Sequence, residues 1–160
     1  MTRHVFSGTV DPLEELRFLV LGAQREGSRA LSELLTPIGL TAAQAEVLAV
    51  LRDESRPLSV GEIGQRLVCE GGSPSRLVAT VVDRGLAQRT PSASDRRAVE
   101  LTLTAEGQAA AERVAEAERE LYEWLSQTLT NRDIAALIRG LRKLVEGRPT
   151  GQAIARRRDS

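Results

Sequence analysis

The chain has 160 residues, enough for one ordinary core or one domain with long extensions, and its 22 basic and 22 acidic residues cancel to a formal net charge of zero. Net charge therefore gives no argument for a polyanion, and the distribution of charge has to carry one. The single cysteine excludes an internal disulfide or a paired-cysteine zinc site, and the single histidine leaves little for metal binding or acid–base catalysis.

No apolar run approaches the roughly 20 residues that span a bilayer, and the opening residues lack the charged-then-apolar order of a secretory signal. A cytoplasmic protein without membrane partners is expected. The first helix reads from residue 11 to residue 37, with Asp11 as its cap and Pro12 at the first position, where a missing N–H costs nothing. Leu16, Leu19, Ala23, Ala30, Leu34 and Ile38 form one apolar stripe, while Phe18 and Leu21 lie well round the cylinder. Such a helix is buried by more than one neighbour. Arg17 falls between the two apolar sides, so its guanidinium is expected to be partly buried and to need an anion. Glu116 or Glu120, from the same chain or a second copy, could supply it, and so could a small-molecule carboxylate.

Short helices follow. "TAAQ" from Thr41 and "SVGE" from Ser59 fit the capping box, in which a hydroxyl takes an orphan amide and the residue three on reaches back. They predict helices over 41–53 and 59–68. "CEGG" reads as a turn, after which Ser73 caps a helix with Pro74 at its first position and Gly85 as its left-handed stop. Three helices in a row, the last two joined by a short Gly-containing turn, make a helix-turn-helix. Residues 86–90 and 99–103 then read as two strands around the loop 91–98.

The remainder is helical. Thr104 caps a helix with Ala110, Val114, Ala117, Leu121, Trp124 and Leu125 at spacings of three and four, and "TNRD" opens a last helix with Ile134, Leu137, Ile138, Leu141 and Leu144 on its apolar face. Past Arg148 the tail has little to bury and is expected to be mobile. The expected fold is mainly α with a small two-stranded β-wing. A dimerisation helix at 11–38 precedes a winged helix-turn-helix at 40–103, dimerisation helices at 104–147 and a mobile basic tail at 148–160. The apolar stripes on 11–37 and 104–147 exceed what one small motif covers, so a homodimer is expected.

Charge is segregated along this order. Arg76, Arg84, Arg89, Arg96 and Arg97 face only Asp83 and Asp95 between residues 73 and 97, whereas the next helix carries Glu106, Glu112, Glu116, Glu118, Glu120 and Glu123. A winged helix on duplex DNA places the second helix of the motif in the major groove, about 12 Å wide, and the wing tip on phosphates or in the minor groove. Two adjacent arginines at that tip have a use there, because a narrow minor groove concentrates negative potential. The plainer alternatives are a solvated loop with an ion pair to Asp95, and a winged helix that binds a protein instead of DNA. With so few aromatic residues there is no stacking platform for single-stranded nucleic acid. Nor is there a Gly-rich phosphate loop, a metal constellation or a histidine to serve a nucleophile, so no enzyme is expected, and no cofactor.

"SDRRAVELTLTAEG" resembles the wing signature of the multiple antibiotic resistance regulator (MarR) family, with Asp95, Arg97, Leu103, Thr104 and Gly107 in the characteristic places. "LTAAQAEVLAVL", "SVGEIGQRL" and "SPSRLVATVVDRGLAQR" are similar to the family's three preceding helices, so the resemblance runs from Leu40 to Gly107. It implies a dimeric, ligand-responsive transcriptional repressor of a pseudo-palindromic operator. Ser59 would bind phosphate, and Ser73, Ser75, Arg76, Ala79 and Thr80 would face bases and phosphates. Arg97 would enter the minor groove with Asp95 orienting it, and Arg96 would reach the neighbouring backbone. At Pro74 the family usually carries a longer polar or branched residue. The resemblance also implies an aromatic carboxylate or phenolic effector between the first helix and the DNA-binding domain, which Arg17 could hold. Cys69 lies outside the first helix, where redox-sensing members carry their cysteine, and reads as a small buried residue.

Overall fold

The computed structural model describes residues 11–69, 72–95 and 97–158. Asp11 Oδ1 accepts from Leu13 N at 2.9 Å and opens α1, Pro12–Leu35, which a 3-10 turn at Thr36–Ile38 continues. Thr41 and Gln44 cap reciprocally, at 3.2 and 3.1 Å, and start α2, Ala42–Asp53. Ser59 and Glu62 repeat the arrangement for α3, Val60–Gly64. That helix is shorter than 59–68 for a visible reason: the amides of Val68 and Cys69 donate to the Glu46 carboxylate at 2.7 and 3.0 Å instead of to helix carbonyls.

The recognition helix of the motif is α4, Pro74–Asp83, and Gly85 follows it with φ of 71° as a left-handed stop. The expected two-stranded wing is a three-stranded sheet. Strands β1, Leu58–Ser59, β2, Ala87–Pro91, and β3, Val99–Leu103, lie in the order β1-β3-β2, antiparallel throughout, with Leu58 opposite Leu101 and Arg89 also opposite Leu101. A two-residue strand has no alternation to read in a sequence; the extended backbone that Ser59 needs to cap α3 is what lets it pair. One core joins these elements to the long helices: Leu35, Leu48, Ile63, Val78, Leu101 and Val114 are all at most 1% exposed.

Helix α5, Ala105–Thr128, starts against the sheet. Thr104 N donates to Leu86 O at 3.1 Å, Thr104 Oγ1 donates to Gly85 O at 2.6 Å, and Gly107 N donates back to Thr104 Oγ1 at 3.0 Å. A Cβ on Gly107 would stand 1.7 Å from Leu86 O, so only glycine admits this approach. The Leu-Thr and Gly of the wing signature are thus a joint between wing and helix.

Helix α6, Asn131–Val145, opens with a Thr130–Asp133 capping box and buries no residue. The mobile tail expected at 148–160 is not observed across its described part. Pro149–Arg158 forms a helix, α7, that buries Ala153 and places Arg157 Nη1 2.9 Å from Glu46 Oε1. Its attachment is ionic and hydrogen-bonded more than apolar, which is why a hydropathy pattern gives no sign of it. Among the described residues, no single helix is long and apolar enough to cross a membrane.

Candidate nucleic-acid interface

Helix α4 sorts its residues by the core beneath it. Leu77, Val78 and Val81 point inward, Ser75, Arg76 and Thr80 are exposed, and Ala79 is half-buried. Ser73 occupies the cap position but makes no capping hydrogen bond, its ψ of 125° differing from the 159° of Thr41 and Ser59. Its hydroxyl is therefore left out of the helix. Pro74 is turned toward α3: a Cβ on Gly64 would stand 2.9 Å from Pro74 Cγ. The position where the family carries a longer polar or branched residue here serves the packing of α3 on α4.

Thr80 is engaged. Its hydroxyl donates to Leu77 O at 2.7 Å and accepts from Gln44 Nε2 at 3.2 Å, which leaves its methyl as the outward group. Gln44 Oε1 also accepts from Arg84 Nη1 at 3.2 Å, and the same Nη1 donates to Gly39 O at 2.6 Å. Arg84 thus ties the end of α4 to the start of α2. The cap residue Gln44 positions the recognition helix as well as its own helix, a role no local motif reveals.

At the wing, Asp95 Oδ1 accepts from Arg97 N at 2.9 Å and Asp95 O from Ala98 N at 2.9 Å. Asp95 orients Arg97 through the backbone and forms no ion pair with its guanidinium, which is exposed. Arg96 lies outside the described residues. Below the tip, Ser92 is 5% exposed and donates to Glu100 Oε1 at 2.7 Å, while Ser94 N donates to Ser92 Oγ at 3.3 Å. These internal bonds give the loop a fixed shape. Their sequence signal, a serine pair facing a strand glutamate, is too common to have been read as one.

Ser59 sits half-buried where β1 becomes α3, its Oγ accepting from Glu62 N at 3.2 Å, so the hydroxyl proton stays available to a ligand. Glu62 is held by Arg56 Nη2 at 2.6 Å and by Ser59 N at 2.8 Å. Those contacts, the arginine first, lower its pKa to about 2.

Two expectations on other residues are corrected. Arg17 is exposed rather than partly buried, its guanidinium carbon 4.3 Å from the centroid of the Phe18 ring, and no ion pair with Glu116 or Glu120 forms within the chain. The burial anticipated from its helical position needs a neighbour that the described residues do not provide on that side of α1. Cys69 is half-buried and polar in its contacts: Sγ lies 2.5 Å from Glu46 Oε2, and burial together with that carboxylate pushes the thiol up to about 12. Between α1 and α5 runs an open cleft of about 220 Å³ lined by Ala30, Glu33, Leu34, Glu120, Leu121 and Trp124.

An exposed recognition helix, a shaped wing and a core joining both to long flanking helices define a DNA-binding transcriptional regulator of the winged-helix class. Residues 40–107 match the family model for a winged helix DNA-binding domain. The chain is 30% identical over 135 residues to the multiple antibiotic resistance protein MarR of Escherichia coli K12, covering 84% of this chain and 91% of that one. The chain belongs to the MarR family. It is also similar to the crystal structure of a cysteine-to-serine mutant of E. coli MarR complexed with operator DNA, with a TM-score of 0.73, 28% identity and coverage of 87% of this chain and 99% of the other. Its fold is shared with Bordetella bronchiseptica BpsR, a protein whose DNA binding is regulated by 6-hydroxynicotinic acid, at a TM-score of 0.72, 23% identity and coverage of 91% and 99%.

Proposed function

We propose that this regulator is a cytoplasmic homodimeric repressor that acts by binding alone, seating two α4 helices in successive major grooves of a pseudo-palindromic operator. The observation that carries the reading is that Arg76 on α4 and Arg97 on the wing are both exposed, with neither guanidinium in an ion pair or hydrogen bond among the described residues. Cations without internal partners, on the two parts of the fold that meet a duplex, are what phosphate and base contacts require.

Arg76, in the first turn of the helix beside Ser75, reads bases; a guanidinium suits the paired acceptors of guanine. Thr80, its hydroxyl committed, offers a methyl to thymine, and Ala79 lies beside it. Ser59 and Ser73 donate to phosphate, and Arg97 enters the minor groove, with Arg96 on the adjacent backbone. The dimer rests on uncovered apolar surface: Leu13 is 73% exposed, Phe18 55%, Leu19 62% and Leu144 59%. Burial of one such side chain contributes about 1.5–3 kcal/mol, so a second copy of α1 and α6 is the natural cover. Two-fold symmetry then spaces the recognition helices about 34 Å apart.

The effector belongs with a small aromatic ligand that favours a dimer of the wrong spacing, a coupling of about 1–3 kcal/mol changing affinity roughly 5- to 150-fold. Arg17, with Phe18 beneath it, suits a carboxylate. The α1–α5 cleft suits a phenol better, because a phenolic O–H donates to Glu33 or Glu120 where a carboxylate would be repelled. The test is binding to the duplex flanking the chain's own coding sequence at two salt concentrations, against random competitor, with dimer mass from sedimentation. Specific, salt-sensitive binding by a dimer is expected. Absence of any duplex binding at low salt would leave the wing as a protein-binding surface.

A further inference from the structure

Glu46, on α2, is a junction. Its side chain is 10% exposed and accepts from Val68 N at 2.7 Å, Cys69 N at 3.0 Å, Cys69 Sγ at 2.5 Å and Arg157 Nη1 at 2.9 Å. Three of those donors belong to the turn that leads from α3 into the recognition helix, and the fourth comes from α7 at the far end of the chain. Arg156 Nη1 adds a longer contact to Gln65 O, 3.4 Å, at the end of α3. Beside them Arg66 and Glu54 form a pair at 2.6 Å, 14% and 10% exposed, and Arg157 lines the same crevice with Val50 and Asp53.

A carboxylate that accepts two backbone amides is a strong local clamp, since charge-assisted hydrogen bonds are roughly twice as strong as neutral ones. It also carries a buried negative charge, costly without a cation beside it. Arg157 supplies that cation. The elbow between α6 and α7 is tight as well: a Cβ on Gly151 would stand 2.1 Å from Val145 O, and Arg148 N donates to Val145 O at 3.0 Å. A shift of α6 is therefore carried into α7 and onto the clamp.

We propose that α7 is a strap that sets the recognition helix, with Arg157 and Glu46 as positioning residues for operator binding. The proposal rests on the DNA-binding reading above and assigns no DNA contact to either residue. Glu46 gives the discriminating sign. Removing an acid from a DNA-binding protein should, by long-range electrostatics alone, leave binding unchanged or strengthen it. Positioning requires the opposite.

The experiment measures dissociation constants of full-length wild type, Glu46→Gln, Arg157→Ala, Arg157→Lys and the double variant Glu46→Gln/Arg157→Ala. The probe is a duplex selected by the wild type from a random pool, with an unselected duplex beside it. Glu46→Gln and Arg157→Ala are each expected to weaken specific binding about 2- to 30-fold, the range for residues that touch neither site. The double variant should lose no more than the larger single loss, and Arg157→Lys should recover most of the affinity. Binding to unselected duplex should not weaken, and hydrogen exchange at the Val68 and Cys69 amides should accelerate. Unchanged or tighter specific binding by Glu46→Gln, with the fold intact by circular dichroism, overturns the proposal. Equal loss on both duplexes by Arg157→Ala alone, with a salt slope reduced by about 0.9 per phosphate, would make Arg157 a phosphate ligand and overturn it too. If the wild type selects no duplex, the DNA-binding reading itself has failed.

Discussion

Replacing Gly107 with alanine sets two physical effects against each other with opposite signs. Helix propensity alone favours the change, since glycine in a helix interior is worse than alanine by about 0.5–1 kcal/mol. The structure opposes it, because the new Cβ would meet Leu86 O at 1.7 Å and Leu86 C at 2.7 Å, both rigid backbone atoms. Relief requires the start of α5 to move away from the sheet. That strains or breaks the 3.1 Å bond from Thr104 N to Leu86 O and the 2.6 Å bond from Thr104 Oγ1 to Gly85 O. Overpacking costs about 1–3 kcal/mol and each broken hydrogen bond about 1 kcal/mol, so the expected destabilisation is about 2–4 kcal/mol after the propensity gain. Urea unfolding followed by circular dichroism, at one protomer concentration, reads this as a lower midpoint. Gly61→Ala, at an exposed position of α3, supplies the control: the added atom would meet only Ser59 Oγ at 3.9 Å, an ordinary contact, so no comparable loss is expected. A stabilised Gly107→Ala would refute the close approach of α5 to Leu86 and with it the account of the Leu-Thr and Gly signature.

Arg97→Ala should weaken binding and lower the slope of log K against log salt by about 0.9 for each phosphate no longer neutralised, with the dimer mass unchanged; an unchanged slope and affinity remove the wing from recognition. Arg76→Ala should narrow the gap between specific and random duplex by about 1–3 kcal/mol per half-site, whereas an equal loss on both would reduce Arg76 to a phosphate ligand. Glu62 has a folded pKa lowered to about 2, by Arg56 first and the Ser59 amide second. Its contribution is complete above the unfolded value near 4.5 and is lost as pH falls toward 2, so Glu62→Gln should flatten the acid limb of stability between those values. Cys69, with its thiol pushed up to about 12, should resist iodoacetamide at pH 8 in the folded protein and react on unfolding; rapid alkylation of the native chain would contradict the Glu46 contact.

The sequence by itself determined most of what depends on neighbours along the chain, with Ser73, which caps without a side-chain hydrogen bond, and helix α7 as the departures. Asp11, Thr41, Ser59, Thr104 and Thr130 all cap as read, because a cap joins residues two or three apart. In the wing, Asp95 meets the amide of Arg97 two residues on, a partner that is backbone and not guanidinium, while the Ser92–Glu100 bond that shapes the loop left no readable signal. Tertiary structure alone decided the contacts whose partners are far apart. Gln44 reaches Thr80 and Arg84, Leu58 pairs with Leu101, Gly107 meets Leu86, and Glu46 is joined by Arg157 from 111 residues away. Arg17 shows the same division. Helical spacing fixes which side of α1 it occupies, but only packing decides what lies opposite, and among the described residues that side stands open. Periodicity records which face of an element is apolar, while a single polar bond across the fold leaves no periodic trace. The order of the long helices and of the two wing strands was therefore readable, and the short strand β1 and the ionic attachment of α7 to Glu46 were not.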